Sequence, residues 1–302
     1  PTTTMIATAP AATILPGYVK QSCPHKRTLG SKDSKDARQT GTKRSCPAWQ
    51  VEYRADINRY AKNAEQICGT ICPSIWRMQP NVNEKMREIL VDWIVQLHAF
   101  HGLSPATLFL GVRIVDRYAK VDGMIERREL QLIGLTSLSL AAKYHDVSPP
   151  SLEEFVYYTQ GAYTVADIIA MERNVLTKLE FDISFPTVHS FLSCYCFSAS
   201  LSAPALAISS YLAEQSLQFS DLQDFPPSVV AASAVVVACK LTGKGLSAKK
   251  VQKLFGWDTY WIRQCSLLLT ACIDRVTITK SKRKLCAIKR KHQEAVNTIM
   301  TV

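Results

Sequence analysis

From about residue 49 onward, apolar residues recur along the chain at helical rather than strand spacing. The stretch MREILVDWIVQLHAF, residues 86–100, shows the pattern at its densest. At 100° per residue, Met86, Ile89, Leu90, Trp93 and Leu97 form one stripe, and Val91, Ile94 and Val95 form a second. Arg87, Glu88, Asp92 and Gln96 fill the gaps. A helix apolar on nearly all sides is either central in a bundle or meets a partner. The punctuation is helical too. Asn83 precedes MREIL, Ser104 stands before an N1 proline at Pro105, Ser151 with Glu154 and Thr164 with Asp167 have capping-box spacing, and Pro227 opens a further helix. No segment alternates as a strand would, and the connections are short, so the pattern predicts an all-α fold.

An internal echo sets the domain organisation. TSLSLAAKY at 136–144 matches SAVVVACKL at 233–241. Both are runs of small residues ending near a lysine, and small residues on most faces let neighbouring helices approach closely. Each copy therefore suits the central helix of its own bundle. The expected architecture is two tandem five-helix domains, 83–184 and 185–277, with an N-terminal helix and linker at 49–82. Residues 1–48, rich in Thr, Ala, Ser, Pro and Lys, read as a disordered basic tail, and 278–302 as a basic C-terminal tail.

Charge is concentrated in these arms. Of the net +11, residues 1–50 carry eight basic residues against two acidic, and KSKRKLCAIKRK at 280–291 carries seven and none. The rest of the chain holds 21 basic and 23 acidic residues, so the folded part is no basic glove for nucleic acid. No run approaches eighteen apolar residues and the start lacks a signal-peptide pattern, which reads as soluble and not secreted. The ten cysteines, several inside apolar helical runs, read as reduced core residues, and Cys68 with Cys72 or Cys194 with Cys196 lack the second pair of a zinc site. No metal or other cofactor is expected.

Catalytic constellations are missing from the sequence. TGKGLSAKK at 242–250 lacks the phosphate-loop spacing and reads as a link between helices, and His98 with His101 has no third ligand. A binding or regulatory protein is expected. The two halves differ in one respect: Lys143, at the end of the first echo, is followed 29 residues later by Glu172, whereas WIRQCSLLLTAC in the second half offers no carboxylate there. A charged pair in one of two similar domains is what a single partner site needs.

MREILVDW, RIVDRYAK at 113, LQLIG at 130, LAAKY at 140, YTVADIIAMERNVLTKLEFD at 163 and FPPSVVAAS at 225 together resemble a cyclin, with Gln96, Tyr144 and FPPS more similar to B-type mitotic cyclins than to A-type. The resemblance implies two cyclin boxes that bind and activate a cyclin-dependent serine/threonine kinase without catalysing anything themselves. It implies that Lys143 and Glu172 hydrogen-bond the kinase near its C helix, and that Leu140, Tyr144, Leu176, Phe181 and Ile183 form an apolar pocket for that helix. It assigns Met86, Ile89, Leu90, Trp93 and Gln131 to an exposed patch that docks RxL-type substrates or inhibitors, and pairs Arg87 with Asp116 structurally. Where the family reads aromatic, Glu, Glu after the lysine, this chain has Tyr144, His145 and Asp146, and Gln96 stands where A-type cyclins are acidic. KRTLGSKD at 26–33, with Lys26 and Leu29, resembles a destruction box read by ubiquitin-ligase machinery, and KSKRK at 280 resembles a nuclear-import patch, so nucleus and cytoplasm are the expected locations. The rival expectations are a cyclin-box scaffold for peptides and a DNA-binding factor of transcription-factor type. The latter calls for a basic face that the boxes lack.

Overall fold

The computed structural model describes residues 52–69, 74–278 and 286–300, which are helical with no strand among them. Helix α1 (Arg54–Cys68) and the short α2 (Ser74–Met78) precede a first bundle of α3 (Glu84–His101), α4 (Pro105–Asp122), α5 (Leu130–His145), α6 (Leu152–Tyr157) and α7 (Val165–Lys178). A second bundle follows, made of α8 (Val188–Ser198), α9 (Ala203–Gln218), a 3-10 turn at Ser220–Asp224, α10 (Pro227–Leu241), α11 (Ala248–Phe255) and α12 (Thr259–Ile278). Two last helices, α13 (Ala287–Lys291) and α14 (Gln293–Met300), close the described chain.

The helices begin where the capping residues stand. Asn83 accepts from the Met86 N–H at 3.0 Å, Ser104 from Ala106 at 3.2 Å beside the N1 proline, and Thr164 and Asp167 cap each other's backbone. Ser151 accepts from the Glu154 N–H, and the Glu154 carboxylate lies 4.0 Å from His101.

The two echoes are the third helices of their bundles, α5 and α10. Every residue from Leu132 to Ala142 is buried, and α10 is nearly as enclosed. Glycines allow the close approach: a Cβ on Gly111 would lie 3.3 Å from the Leu138 Cα, and one on Gly134 only 2.7 Å from the Leu90 Cδ1. Val91, Ile94 and Val95, the second stripe of α3, are buried core.

Helix α1 is fastened to the second bundle. The buried Glu65 carboxylate accepts from the Ser228 N–H at 2.7 Å and its hydroxyl at 2.6 Å, placing negative charge at the start of α10. Burial pushes the Glu65 carboxyl up, and the Ser228 bonds pull against that. Lys62 Nζ donates to the Phe255 carbonyl at 2.6 Å.

The expected basic tail at 278–302 needs correction for its described part. Residues 286–300 form α13 and α14, which bury Ala287, Ile288, Ala295 and Val296 against α3 and α9. Asp92 of α3 accepts the Ala287 N–H at 2.9 Å, and Glu214 of α9 takes Lys291 at 2.7 Å and His292 at 3.0 Å. The charge census registered the lysines and arginines but not the apolar residues at helical spacing between and after them.

Candidate functional site

Lys143 lies in the last turn of α5 and Glu172 in the middle of α7, and the fold brings them together: Nζ donates to both carboxylate oxygens, at 2.7 and 2.8 Å. The lysine side chain is 43% exposed and the glutamate 19%, so the pair sits at the surface with lone pairs and protons open to a partner. Around it lie the other residues expected there. Tyr144 and Phe181 are exposed, Leu176 and Ile183 are half-buried, and Leu140, one turn before Lys143 on α5, is buried.

The Phe181 ring is held out by an unusual backbone. Glu180 and Phe181 both adopt left-handed conformations, φ 52° and 59°, closing α7 through a Phe181 N–H bond to the Leu176 carbonyl at 2.9 Å. A bulky residue in that region is strained, and such strain concentrates at binding surfaces. Here it leaves an aromatic ring 71% exposed. The Tyr144 hydroxyl donates to Ser184 Oγ at 3.1 Å, tying the end of α5 to the segment after Phe181.

The departures after Lys143 divide in two. Asp146 turns inward: it accepts from the Ser104 N–H at 2.9 Å and the Thr107 hydroxyl at 2.6 Å, capping α4. Its charge is used within the fold. His145 is exposed, edge-on to the Tyr144 ring, and partial burial lowers its pKa below the ordinary histidine value.

The stripe of α3 expected to form an exposed patch is corrected at Leu90. That side chain is 5% exposed and packs on Gly134 of α5, because the glycine opens a slot that Leu90 fills. Met86, Ile89 and Trp93 are half-buried, as is Gln131 at the start of α5. Gln96 donates to Asp92 at 2.8 Å and so supports the carboxylate that holds α13.

Arg87 and Asp116 do pair, with Nε and Nη2 at 2.6 and 2.7 Å from the two carboxylate oxygens. Trp76 adds a bond to Asp116 at 3.0 Å. His98 and His101 are packing groups: His98 Nε2 lies 2.9 Å from the Ser104 carbonyl, and His101 meets Phe100 and Tyr158 edge-on and Phe155 at a tilt. Among the described residues, Cys68, Cys194 and Cys196 are free thiols, and no cluster of three metal-ligating side chains occurs. Lys26, Leu29, Cys72 and the KSKRK run lie outside the described residues.

One surface was missed from the sequence. Tyr53, Ile57, Tyr60 and Ile67, at i, i+4, i+7 and i+14, are all exposed along α1. The spacing was legible, but a stripe on a helix with no partner is indistinguishable from a core stripe until its surroundings are known.

Two five-helix bundles with a charged, aromatic-rimmed contact in the first alone define a two-box binding subunit. Residues 56–184 match the family model for the cyclin N-terminal domain and 186–301 that for the cyclin C-terminal domain. The chain belongs to the cyclin family. It is 32% identical over 250 residues to the G2/mitotic-specific cyclin-2 of Medicago sativa, covering 81% of this chain and 73% of that one. It is 34% identical to Cyclin-B1-2 of Arabidopsis thaliana, covering 82% and 54%, and 35% identical to Cyclin-A3-2 of Oryza sativa subsp. japonica, covering 84% and 67%. Its relatives thus include a G2/mitotic-specific cyclin and cyclins named as B and A types, and it spans only about half the length of some of them. A viral cyclin from herpesvirus saimiri shares the fold, with TM-score 0.63 and 19% identity over 72% of this chain and 97% of the viral one.

Proposed function

We propose that this cyclin is the regulatory subunit of a cyclin-dependent serine/threonine kinase, which it activates by binding and without chemistry of its own. The supporting observation is the Lys143–Glu172 pair, open on the surface and rimmed by Tyr144 and Phe181. Neither charge is deeply desolvated in the free chain, so both can add hydrogen bonds to kinase backbone beside its C helix. That helix carries the glutamate that must pair with the kinase's ATP-binding lysine, and a partner that fixes it assembles the phosphoryl-transfer site. Met86, Ile89, Trp93 and Gln131 then receive RxL-type substrates or inhibitors, with Leu90 as the packed floor of that surface. Lys26 and Leu29 mark the segment read by ubiquitin ligase, and nucleus and cytoplasm are the places of action.

The test is the activity of a panel of purified monomeric cyclin-dependent kinases with and without this chain, beside its Lys143→Ala, Glu172→Ala variant. Activation by the parent and not by the variant supports the reading. A panel that neither binds nor responds, or responds equally to the variant, removes it.

A further inference from the structure

The two boxes are built alike, and one matching place in them carries opposite charge. In the first box, α6 begins Ser151, Leu152, Glu153, Glu154; in the second, α11 begins Ser247, Ala248, Lys249, Lys250. Both serines cap their helix by accepting the N–H three residues on. The glutamates of α6 complement the positive end of its helix, as the macrodipole favours, and the lysines of α11 oppose it. The other end of α11 obeys the rule, because Lys62 sits on the Phe255 carbonyl. The unfavourable charge is therefore confined to one end.

More positive charge is gathered at that end. Lys244 lies where α10 terminates, its N–H bonded to the Cys239 carbonyl at 2.9 Å after the left-handed Gly243. Lys244 and Lys250 both lie close enough to act electrostatically on the Cys239 thiol. Lys240 echoes Lys143, but the position matching Glu172 is the buried Leu269, so no carboxylate faces it there. With Lys253, these make five exposed lysines, and residues 225–257 contain no acidic residue. Among the described residues, none of the five has an ion-pair partner. Val251 and Phe255 anchor α11 to the box, leaving Lys249, Lys250, Gln252 and Lys253 facing out.

We propose that this end of the second box docks an acidic, Asp/Glu-rich segment of a partner protein. The footprint favours a peptide over a nucleic acid. A helix of this length spans about 12 Å, room for three or four residues of extended chain, and the charges come from lysine alone, without the arginines or interleaved aromatics that stack on bases. This surface is separate from the Lys143 contact, and the proposal stands whether or not a kinase binds there.

The test is backbone hydrogen exchange on the full chain, which localises binding despite its basic arms. An Asp/Glu peptide and a single-stranded oligonucleotide of equal charge are the probes, and Lys249→Glu, Lys250→Glu is the variant. The peptide is expected to protect residues 244–253 in the parent at low salt. The variant, with its helix end now matched like that of α6, is expected to melt no lower than the parent and to weaken this protection by about tenfold or more. Lys143→Ala leaves it unchanged. Protection confined to other segments, equal protection in the variant, or tighter protection of 244–253 by the oligonucleotide would each overturn the proposal.

Discussion

Arg87 and Asp116 face each other through two hydrogen bonds with both side chains 1% exposed. The pair does more than brace one helix. Asp116 also holds the Trp76 indole of α2, and Arg87 Nη1 donates to the Gln218 carbonyl at the end of α9, at 3.3 Å. A single ion pair thus joins α2, α3, α4 and the second box, and uses a carbonyl that the end of a helix leaves without an intrahelical partner.

Removing one partner strands a buried charge. Arg87→Ala is expected to lower stability by about 3–5 kcal/mol, with Arg87→Lys recovering only part because an ammonium lacks the planar fork. Urea unfolding of the full chain measures it. A loss below about 1 kcal/mol would mean that packing, and not the pair, holds the boxes together.

Lys143 and Glu172 should behave oppositely. Their pair is partly exposed, so Lys143→Ala is expected to change stability by no more than about 1 kcal/mol. The same change is expected to weaken kinase binding by about tenfold or more, since truncating a charged contact that becomes buried costs about 2–5 kcal/mol. Unfolding and kinase titration on one protein preparation separate the two effects. A large stability loss would recast the pair as a structural element.

The slot between Leu90 and Gly134 supplies a third expectation. Gly134→Ala drives a methyl to within 2.7 Å of Leu90 Cδ1 and is expected to cost about 1–3 kcal/mol by overpacking. Leu90→Ala in that background should cost less than in the parent, because the added methyl fills part of the space it leaves. Met86→Ala with Ile89→Ala, at the half-buried positions, is the variant expected to slow phosphorylation of RxL-bearing substrates while leaving kinase binding intact. Additive effects of the first pair would show that the two side chains do not meet.

Much of this was legible in the chain. Capping residues located helix starts, and the small-residue echo located the central helices, because both act locally or by repetition. Lys143 with Glu172 stood out through an asymmetry between repeats. The misreadings share a cause, in that each required knowing what lay across a gap in sequence. Leu90 looked like part of an exposed stripe until Gly134, 44 residues on, was placed against it. The C-terminal helices looked like a charged tail until Asp92 and Glu214 supplied partners. Asp146 looked like a substitution at the partner surface until Ser104 and Thr107 claimed it.

The buried histidines give the fold a pH dependence of definite sign. Burial lowers the pKa of His98, His101 and His189 below their ordinary value of 6.5. Lys291 pushes His98 and His189 further down, and His145 does the same to His189. Glu214 opposes this at both, Asp146 at His98 and Glu154 at His101. A lowered histidine is neutral in the folded chain at a pH where the unfolded chain already binds the proton. Its contribution is fully present above 6.5 and is lost as pH falls from there towards the folded pKa, by at most about 1.4 kcal/mol per pH unit for each group. Glu65 and Asp92, raised by burial, act with the opposite sign: their penalty grows as pH rises from their ordinary values of 4.5 and 3.8 towards their raised folded values. Stability measured by urea unfolding is therefore expected to decline as pH falls below 6.5, and His98→Gln is expected to flatten that decline. A profile of parent and variant that falls with the same slope would show that the His98 pKa is not lowered in the folded chain and that this residue takes no part in the decline.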